Sequence, residues 1–383
     1  MTKTEQILDS PAAPRRTRLQ ELWLLFSQNR LAILGLITFV LFFITAVIGV
    51  VLTSGHDPLF DPALVRLQEK LVPPLTRANP ETLRSGEAPV FDMYLMGTDD
   101  LGRDVFARML QGAWVSLTVG FVAVGISVLV GIFMGGIAGY FGQSHIKYDL
   151  IITSCFLIGG GALLALGRVR AGVVMLIIGH AFLALFFVSR KVFQDRPTPW
   201  WFSMLHRNAV SVDTLIMRMV DIMLCFPSFF LILTVVAILP ASIYNIMIVI
   251  GLTSWMGTTR FVRAEFLSLR EHDFVTAARA LGIGNFRIIF RHMMPNAVAP
   301  VLVSSTIGIA TAILTEAGLS FLGFGVPPPH ATWGNILSDG KRFIFDAPWL
   351  TFIPGIAILV VVLCFNLFGE GLKDAMNPKL RER

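Results

Sequence analysis

Glu316, His180 and Ser320 are the side chains within the apolar stretches of this chain whose types could do chemistry, so the first question is what partners the sequence gives them. Acid and base catalysis by a carboxylate or an imidazole needs a second group held against it. Glu316 stands among small and apolar residues in LTEAGLSFLG, and His180 stands alone in LIIGHAFLAL. An intramembrane enzyme built on either would need a paired catalytic group that the sequence does not offer. Ser320 lacks the GxSxG spacing and the strand-to-helix turn of a nucleophile elbow. There is no GxxxxGK[ST] run to cradle nucleotide phosphates and no HExxH to bind zinc. Cys155, Cys225 and Cys364 lie far apart in apolar runs without metal-ligand spacing, and they read as small buried hydrophobes. The expectation is therefore a chain with no catalytic residue, no metal and no cofactor, whose energy source is another chain. Glu316, at the end of an outward-running helix, is expected to reach the membrane interface, because an unpaired carboxylate at the bilayer centre costs about 2.5 to 3.5 kcal/mol on insertion scales. His180 is expected to be a packed or hydrogen-bonded histidine, and Arg218 and Asp221 are spaced to pair along a helix.

The stretch with the most definite local grammar is Phe274 to Pro295, FVTAARALGIGNFRIIFRHMMP, a polar island between long apolar runs. It predicts two helices and a hinge. Asp273 is placed to cap the first, with Phe274, Ala277, Ala278 and Leu281 on one face and Arg279 elsewhere. Gly282 and Gly284 stop that helix, because glycine enters the left-handed conformation without the steric cost of a Cβ. A second helix starts at Asn285, places Phe286, Ile289, Phe290 and Met293 opposite Arg287 and Arg291, and ends at Pro295.

Ala277, Ala278, Gly282 and Pro295 resemble the EAA loop of ABC importer permeases, and ALG followed by RIIFRHMMPN is similar to the C-type permeases of the peptide, nickel and glutathione branch. In that family the loop is a cytoplasmic helix that seats in a cleft of an ATPase subunit, so the resemblance implies ATPase coupling by Phe274, Ala277, Ala278, Arg279, Leu281 and Gly282. Thr276 stands where the family has Glu, which removes the carboxylate of a capping box with Asp273 and predicts a weaker helix start. His292 and Met294 replace aliphatic residues. Two further stretches carry the same resemblance: MGTDDLGRDVFARMLQGAWVSLTVG, and LTEAGLSFLGFGVPPPHATWG with Glu316, Pro327 to Pro329 and Trp333.

The elements that must position the island are membrane spans. With 55% hydrophobic and 15% charged residues the chain is far more apolar than a soluble domain, which makes it an all-α integral membrane protein. Its net charge of +6 is spread over short loops without the basic and aromatic clustering of a nucleic-acid groove, so no nucleic-acid partner is expected. Residues 1–30 are a basic segment with Arg15, Arg16, Arg18 and Arg30, expected in the cytoplasm. Residues 31–52 carry no charge and cross the ~30 Å hydrocarbon core at ~1.5 Å per residue; they lack a cleavage site and remain as an anchor. Residues 53–114 form an extracytoplasmic loop in which Thr98 or Asp99 is expected to cap the next helix, while Arg103 and Asp104 order the loop or touch a binding protein. The permease domain then runs over 115–369. Within its first span, Val115 to Tyr140, Gly131, Gly135 and Gly139 repeat at the spacing that lets helix backbones touch.

After Gly142 the chain departs from the family pattern, which passes directly from AGYFG to a segment like VDTLIMRMVDIMLCFPSFFL. Here the apolar runs Leu150 to Leu166 and Ala171 to Val188, joined by a turn with Arg168 and Arg170, read as an inserted hairpin over 150–188, crossing or re-entrant. A basic segment ending at Trp200 and Trp201 follows. Ile222 to Leu239, kinked at Pro227, and Ile243 to Thr259 are antiparallel neighbours. The coupling loop occupies 264–296, Ala297 to Thr315 crosses outward, Pro348 to Phe368 returns, and 370–383 is a cytoplasmic tail with Lys373, Lys379, Arg381 and Arg383. The resemblance implies a type I ABC importer (MetI-like) bundle of six core helices plus the hairpin. It also implies a bacterial inner membrane location with both termini cytoplasmic. The implied partners are a B-type second permease, two ATPase subunits, an extracytoplasmic substrate-binding protein and membrane lipid. Peptides are the substrate it implies first, with nickel chelates, glutathione or opines as alternatives.

Overall fold

Helices make up nearly all of the secondary structure in the computed structural model, which describes residues 17–56, 58–81, 83, 87–142, 144–192 and 208–376. The order is α1 (Arg18–Gln28), α2 (Arg30–Thr53), β1 (Thr76–Arg77), β2 (Met93–Tyr94), α3 (Val105–Tyr140), β3 (His145–Lys147), α4 (Tyr148–Ala165), α5 (Val169–Val192) and β4 (Asn208–Ser211). It continues with α6 (Val212–Cys225), α7 (Ser228–Ile238), α8 (Ile243–Leu252), α9 (Trp255–Arg270), α10 (Asp273–Ala280) and α11 (Asn285–Arg287). A π-helical turn (Ile288–Met293) leads into α12 (Met294–Phe321), followed by α13 (Trp333–Gly340), a 3-10 turn (Lys341–Phe343) and α14 (Trp349–Met376). Arg15, Arg16, Trp200, Trp201, Lys379, Arg381 and Arg383 lie outside the described residues.

Among the described residues, Arg30–Thr53, Val105–Tyr140, Pro300–Phe321 and Trp349–Met376 are each long and apolar enough to cross a bilayer, and α6 with α7 makes a fifth if the pair is one broken span. The first of these, Arg30–Thr53, starts where Asn29 caps it, its Oδ1 accepting the Leu31 and Ala32 N–H groups at 3.1 and 3.2 Å. Pro227 interrupts the next core segment between α6 and α7, as its missing N–H requires. The single span expected over Ile243 to Thr259 is instead two helices. The Thr253 hydroxyl bonds back to Val249 O and the Ser254 hydroxyl to Ile250 O, both at 2.7 Å, so side chains take up the carbonyls where the ladder ends. The helix expected to end at Pro295 also continues, running from the π-helical turn Ile288–Met293 into Met294–Phe321.

The contacts divide the chain into two units, Met1–Ile132 with Phe226–Phe261 and Met294–Arg383, and Phe133–Cys225 with Val262–Met293. In the first, α14 packs against α2 and α12, and α13 packs against α12 and α14. Trp333, Ile313, Ile336, Leu350 and Phe365 are among its fully buried side chains, while Val51 and Leu129 are about 70% exposed. That outward apolar surface belongs to a chain whose solvent is lipid. The same inversion corrects the cysteines: Cys364 is buried, but Cys155 and Cys225 are exposed on apolar helices. Gly131 lets α3 approach Thr258 so closely that a Cβ there would lie 2.5 Å from the threonine Cβ. The N-terminus of α13 carries a capping box, Thr332 Oγ1 accepting Asn335 N–H at 3.1 Å and Asn335 Oδ1 accepting Thr332 N–H at 3.0 Å.

In the second unit, Gly139 repeats the close approach of α3, this time against Phe266 of α9. The arms α4 and α5 pack on one another around Gly160 and Gly172, and the chain reverses at Gly167 with φ +76°. Strands β3 and β4 pair antiparallel at the base of this hairpin, His145 opposite Ser211 and Ile146 opposite Val210. Val212 N–H then donates to Ser144 O at 3.0 Å, so the residues that leave for the hairpin and return from it are neighbours. Deleting 145–211 and joining Ser144 to Val212 through a short linker should therefore leave a protein that inserts into the membrane and elutes as a single species in mild detergent. Aggregation of this variant under conditions where the parent is monodisperse would show that the hairpin is needed for folding.

Candidate functional site

The polar island folds as two short arms on either side of Gly282. α10 begins at Asp273, and His272, with φ −74° and ψ 148°, takes the cap position expected of Asp273; its side chain makes no cap bond. The Thr276 hydroxyl turns back to Asp273 O at 2.9 Å, where a carboxylate was missing from the capping pattern. The end of the arm is better defined than its start. Ile283 N–H donates to Ala278 O at 3.1 Å and Gly282 N–H to Arg279 O at 2.9 Å, with Gly282 at φ +72°, which is a Schellman closure. Gly284 has φ −63° and precedes α11 as its cap residue, so Gly282 alone supplies the left-handed step expected of both glycines.

The inward face differs from the sequence expectation. Val275 and Ala278 of α10 and Ile288, Ile289 and Met293 of the π-helical turn are buried, and α10 packs against that turn. Ala277, Arg279 and Gly282 are exposed. Phe274 is partly exposed, Leu281 is 80% and Phe286 75% exposed, and the Phe286 and Phe290 rings meet at 4.5 Å on the outside. Phe286 and Phe290 thus leave the face shared with Ile289 and Met293 on which a 3.6-residue period placed them, because each π-helical turn takes up an extra residue. The result is a row of large apolar side chains facing outward from a segment that also exposes Arg287 and Arg291. An exposed apolar patch rimmed by charge marks an interaction surface.

Two residues that sequence reasoning left aside hold this arrangement. Tyr140, the last residue of α3, is 7% exposed; the Arg279 guanidinium lies 5.1 Å from its ring centre and its hydroxyl donates to Asn285 Oδ1 at 2.7 Å. Asp213, in the first turn of α6, receives both Nε and Nη2 of Arg263 from α9, the latter at 2.6 Å. The fixed planar fork of arginine suits such a two-point contact.

The family model of the binding-protein-dependent transport system inner membrane component matches residues 200–382, which contain the whole island, and the model of the N-terminal TM domain of oligopeptide transport permease C matches 17–74. A dipeptide transport system permease protein of Alkalihalophilus pseudofirmus is 34% identical over 92% of this chain and 88% of its own length. That of Haemophilus influenzae is 33% identical over 96% and 97%, and the oligopeptide transport system permease protein of Bacillus subtilis 29% over 93% and 88%. The chain belongs to this family of membrane permeases.

Elsewhere in the permease, the charges that precede α3 form a closed network. Asp99 is fully buried and receives Arg103 Nε at 2.7 Å and Arg108 Nη1 at 2.5 Å; Arg108 Nη2 reaches Asp339 Oδ2 at 2.9 Å. This ties the loop to α3 and α13. Asp104, and neither Thr98 nor Asp99, caps α3, its Oδ1 accepting the Phe106 N–H at 2.9 Å. Tyr94, fully buried, gives its hydroxyl to the Glu69 carboxylate, and burial first, then that bond, raises its phenol above the usual range. Glu316, expected at the membrane interface, lies inside the protein. It is fully buried, with Ser320 Oγ donating to Oε1 at 2.6 Å and Ser116 Oγ placed 3.5 Å from Oε2, so hydroxyls satisfy a carboxyl that has no cation among its hydrogen-bond partners. His180 is an exposed histidine bonded through Nδ1 to Leu176 O at 2.8 Å. Among the described residues no cluster of His, Cys, Asp and Glu could hold a metal ion.

Burial, and after it the neighbouring Asp99 and Asp339 carboxylates, hold the Asp100 carboxyl above its ordinary pKa. The folded protein then binds the Asp100 proton more tightly than the unfolded chain does. The resulting penalty is absent below the ordinary carboxylate pKa and complete above the folded one. Asp100→Asn should raise the melting temperature of the detergent-solubilised permease at neutral pH, with the gain fading as the pH falls through the carboxylate range. A gain of equal size at both ends of that range would remove this explanation.

Proposed function

We propose that the chain is the C-type permease subunit of an ATP-driven peptide importer, paired with a second, B-type permease, two cytoplasmic ATPase subunits and an extracytoplasmic binding protein in a bacterial inner membrane. Peptide as the substrate is supported by the relatives, which are named as dipeptide and oligopeptide permeases. ATP chemistry falls to the partners, since this sequence has no phosphate-binding loop. The observation that carries the coupling role is the exposed apolar row Phe274, Leu281 and Phe286 around the left-handed Gly282. Segment 264–296 is the docking site of an ATPase subunit, with Phe274, Ala277, Ala278, Arg279, Leu281 and Gly282 as its contact residues or their immediate support. ATP-driven approach of the two ATPase subunits would carry a docked segment on each permease, and that rigid displacement would alternate the path between outward and inward openings. Inserted residues 150–188 affect stability or partner choice more than transport.

In this orientation both termini and the coupling segment are cytoplasmic, while 53–114 and 319–347 face outward. On a background without native cysteines, a membrane-impermeant thiol reagent applied from outside should modify Asn79→Cys and leave Gly284→Cys unmodified. Equal labelling of the two would reverse the assignment.

A Cβ built at Gly282 meets nothing within 4 Å, so substitution there acts through the backbone alone. The left-handed conformation costs a β-branched residue roughly 1 to 2 kcal/mol, too little to unfold the protein and enough to redirect an exposed arm. Gly282→Val should insert and pair with the second permease normally, while ATPase copurification or substrate-stimulated hydrolysis falls. Arg279→Ala should do less, because an exposed cation over an aromatic ring contributes only about 0.5 to 1 kcal/mol. Undiminished coupling in Gly282→Val would mean that transmission runs through another segment.

A further inference from the structure

Tyr140 touches the polar segment on both sides of its hinge. Its ring lies beneath Arg279, three residues before Gly282, and its hydroxyl bonds Asn285, three residues after it. A buried aromatic needs neither contact to pack: the ring already meets Phe141 edge to face at 4.8 Å. The hydroxyl is therefore the informative group. The two arms are otherwise joined through Gly282, whose surroundings are open, and through the packing of α10 on the π-helical turn. A residue that holds both arms from the end of a third helix fixes the angle at which they are presented.

We infer that Tyr140 is a positioning residue for coupling, which holds α10 and α11 at a fixed angle through its ring and its hydroxyl so that movement of the docked segment is passed to the end of α3. The inference rests on the assignment of 264–296 as the ATPase-docking segment. The side chain makes no contact with substrate or nucleotide in this role; it acts through Arg279 and Asn285. If the angle were set by apolar packing alone, the hydroxyl would be dispensable. If the hydroxyl sets it, losing either the donor or its acceptor has the same effect, and losing both adds nothing.

The experiment uses the complete transporter, with both permeases, both ATPase subunits and the loaded binding protein, reconstituted in lipid. Tyr140→Phe, Asn285→Ala, their double variant and Asn285→Asp are compared by binding-protein-stimulated ATP hydrolysis per assembled complex. Tyr140→Phe and Asn285→Ala should each lower the stimulated kcat about three- to tenfold, the range that one neutral hydrogen bond supplies, with the KM for ATP unchanged. The double variant should match the weaker single one. Asn285→Asp, which keeps an acceptor oxygen, should retain the parental rate. A fully stimulated Tyr140→Phe, a double variant whose loss is the product of the single losses, or an Asn285→Asp as impaired as Asn285→Ala would each overturn the inference. Gly282→Val run beside them separates the two levels. A coupled Gly282→Val sinks the docking assignment itself, whereas an uncoupled Gly282→Val beside an unaffected Tyr140→Phe sinks only the role of Tyr140.

Discussion

In hydrocarbon there is no water to take up a backbone N–H or C=O, so every such group must find its partner within the chain, and helices are the way a single segment can do so. The interruptions of this permease show the same constraint at work. Where α8 ends, the Thr253 and Ser254 hydroxyls occupy the carbonyls of the preceding turn. At the α7 entrance the interruption is a proline, which has no N–H to leave unpaired. Along Ile288–Met293 the ladder changes to the π-helical pattern without stopping, and α12 continues from it. Glu316 and Arg108 follow the rule too: Glu316 is bonded by Ser320, and Arg108 spans the Asp99 and Asp339 carboxylates.

In the polar segment proposed for coupling this constraint is relaxed. Outside hydrocarbon the chain can turn sharply, and at Gly282 it does so with a left-handed residue and two backbone bonds that close the end of α10. The apolar side chains on its outer side take no part in the inner packing of the segment, which is made by Val275, Ala278, Ile288, Ile289 and Met293. Two apolar faces on one short stretch, one packed inward and one left open, are what a docking element requires: the first fixes its shape and the second is free to be covered.

Much of this was legible in local sequence. An uncharged run marked the first span, glycines at four-residue spacing marked the face on which α3 is closely approached, and the glycine after AARAL marked the end of α10, because each of these rests on a few neighbouring residues. What was not legible depended on geometry that local pattern does not carry. The period assumed for Phe286 and Phe290 was that of an α-helix, and the π-helical register moved both rings outward. Amphipathic α1, with Phe26 packed edge-on against Phe368, was hidden in a stretch read only for its charge. Arg108 and Asp339 lie 231 residues apart, so no spacing rule connects them. Cys155 and Cys225 were assigned to an interior by a rule for water-soluble proteins, which reverses on helices that face lipid.

The ribbon at the foot of the hairpin bears on the history of the chain. Closing a loop costs entropy that rises only with the logarithm of its length, about 0.6 kcal/mol for each doubling. Because β3 and β4 bring Ser144 and Val212 together, the remainder of the protein registers the two ends of the excursion and scarcely its size. Such a place can lengthen, shorten or exchange its contents between lineages by small steps, with selection acting on what the added segment meets and not on whether the fold survives it.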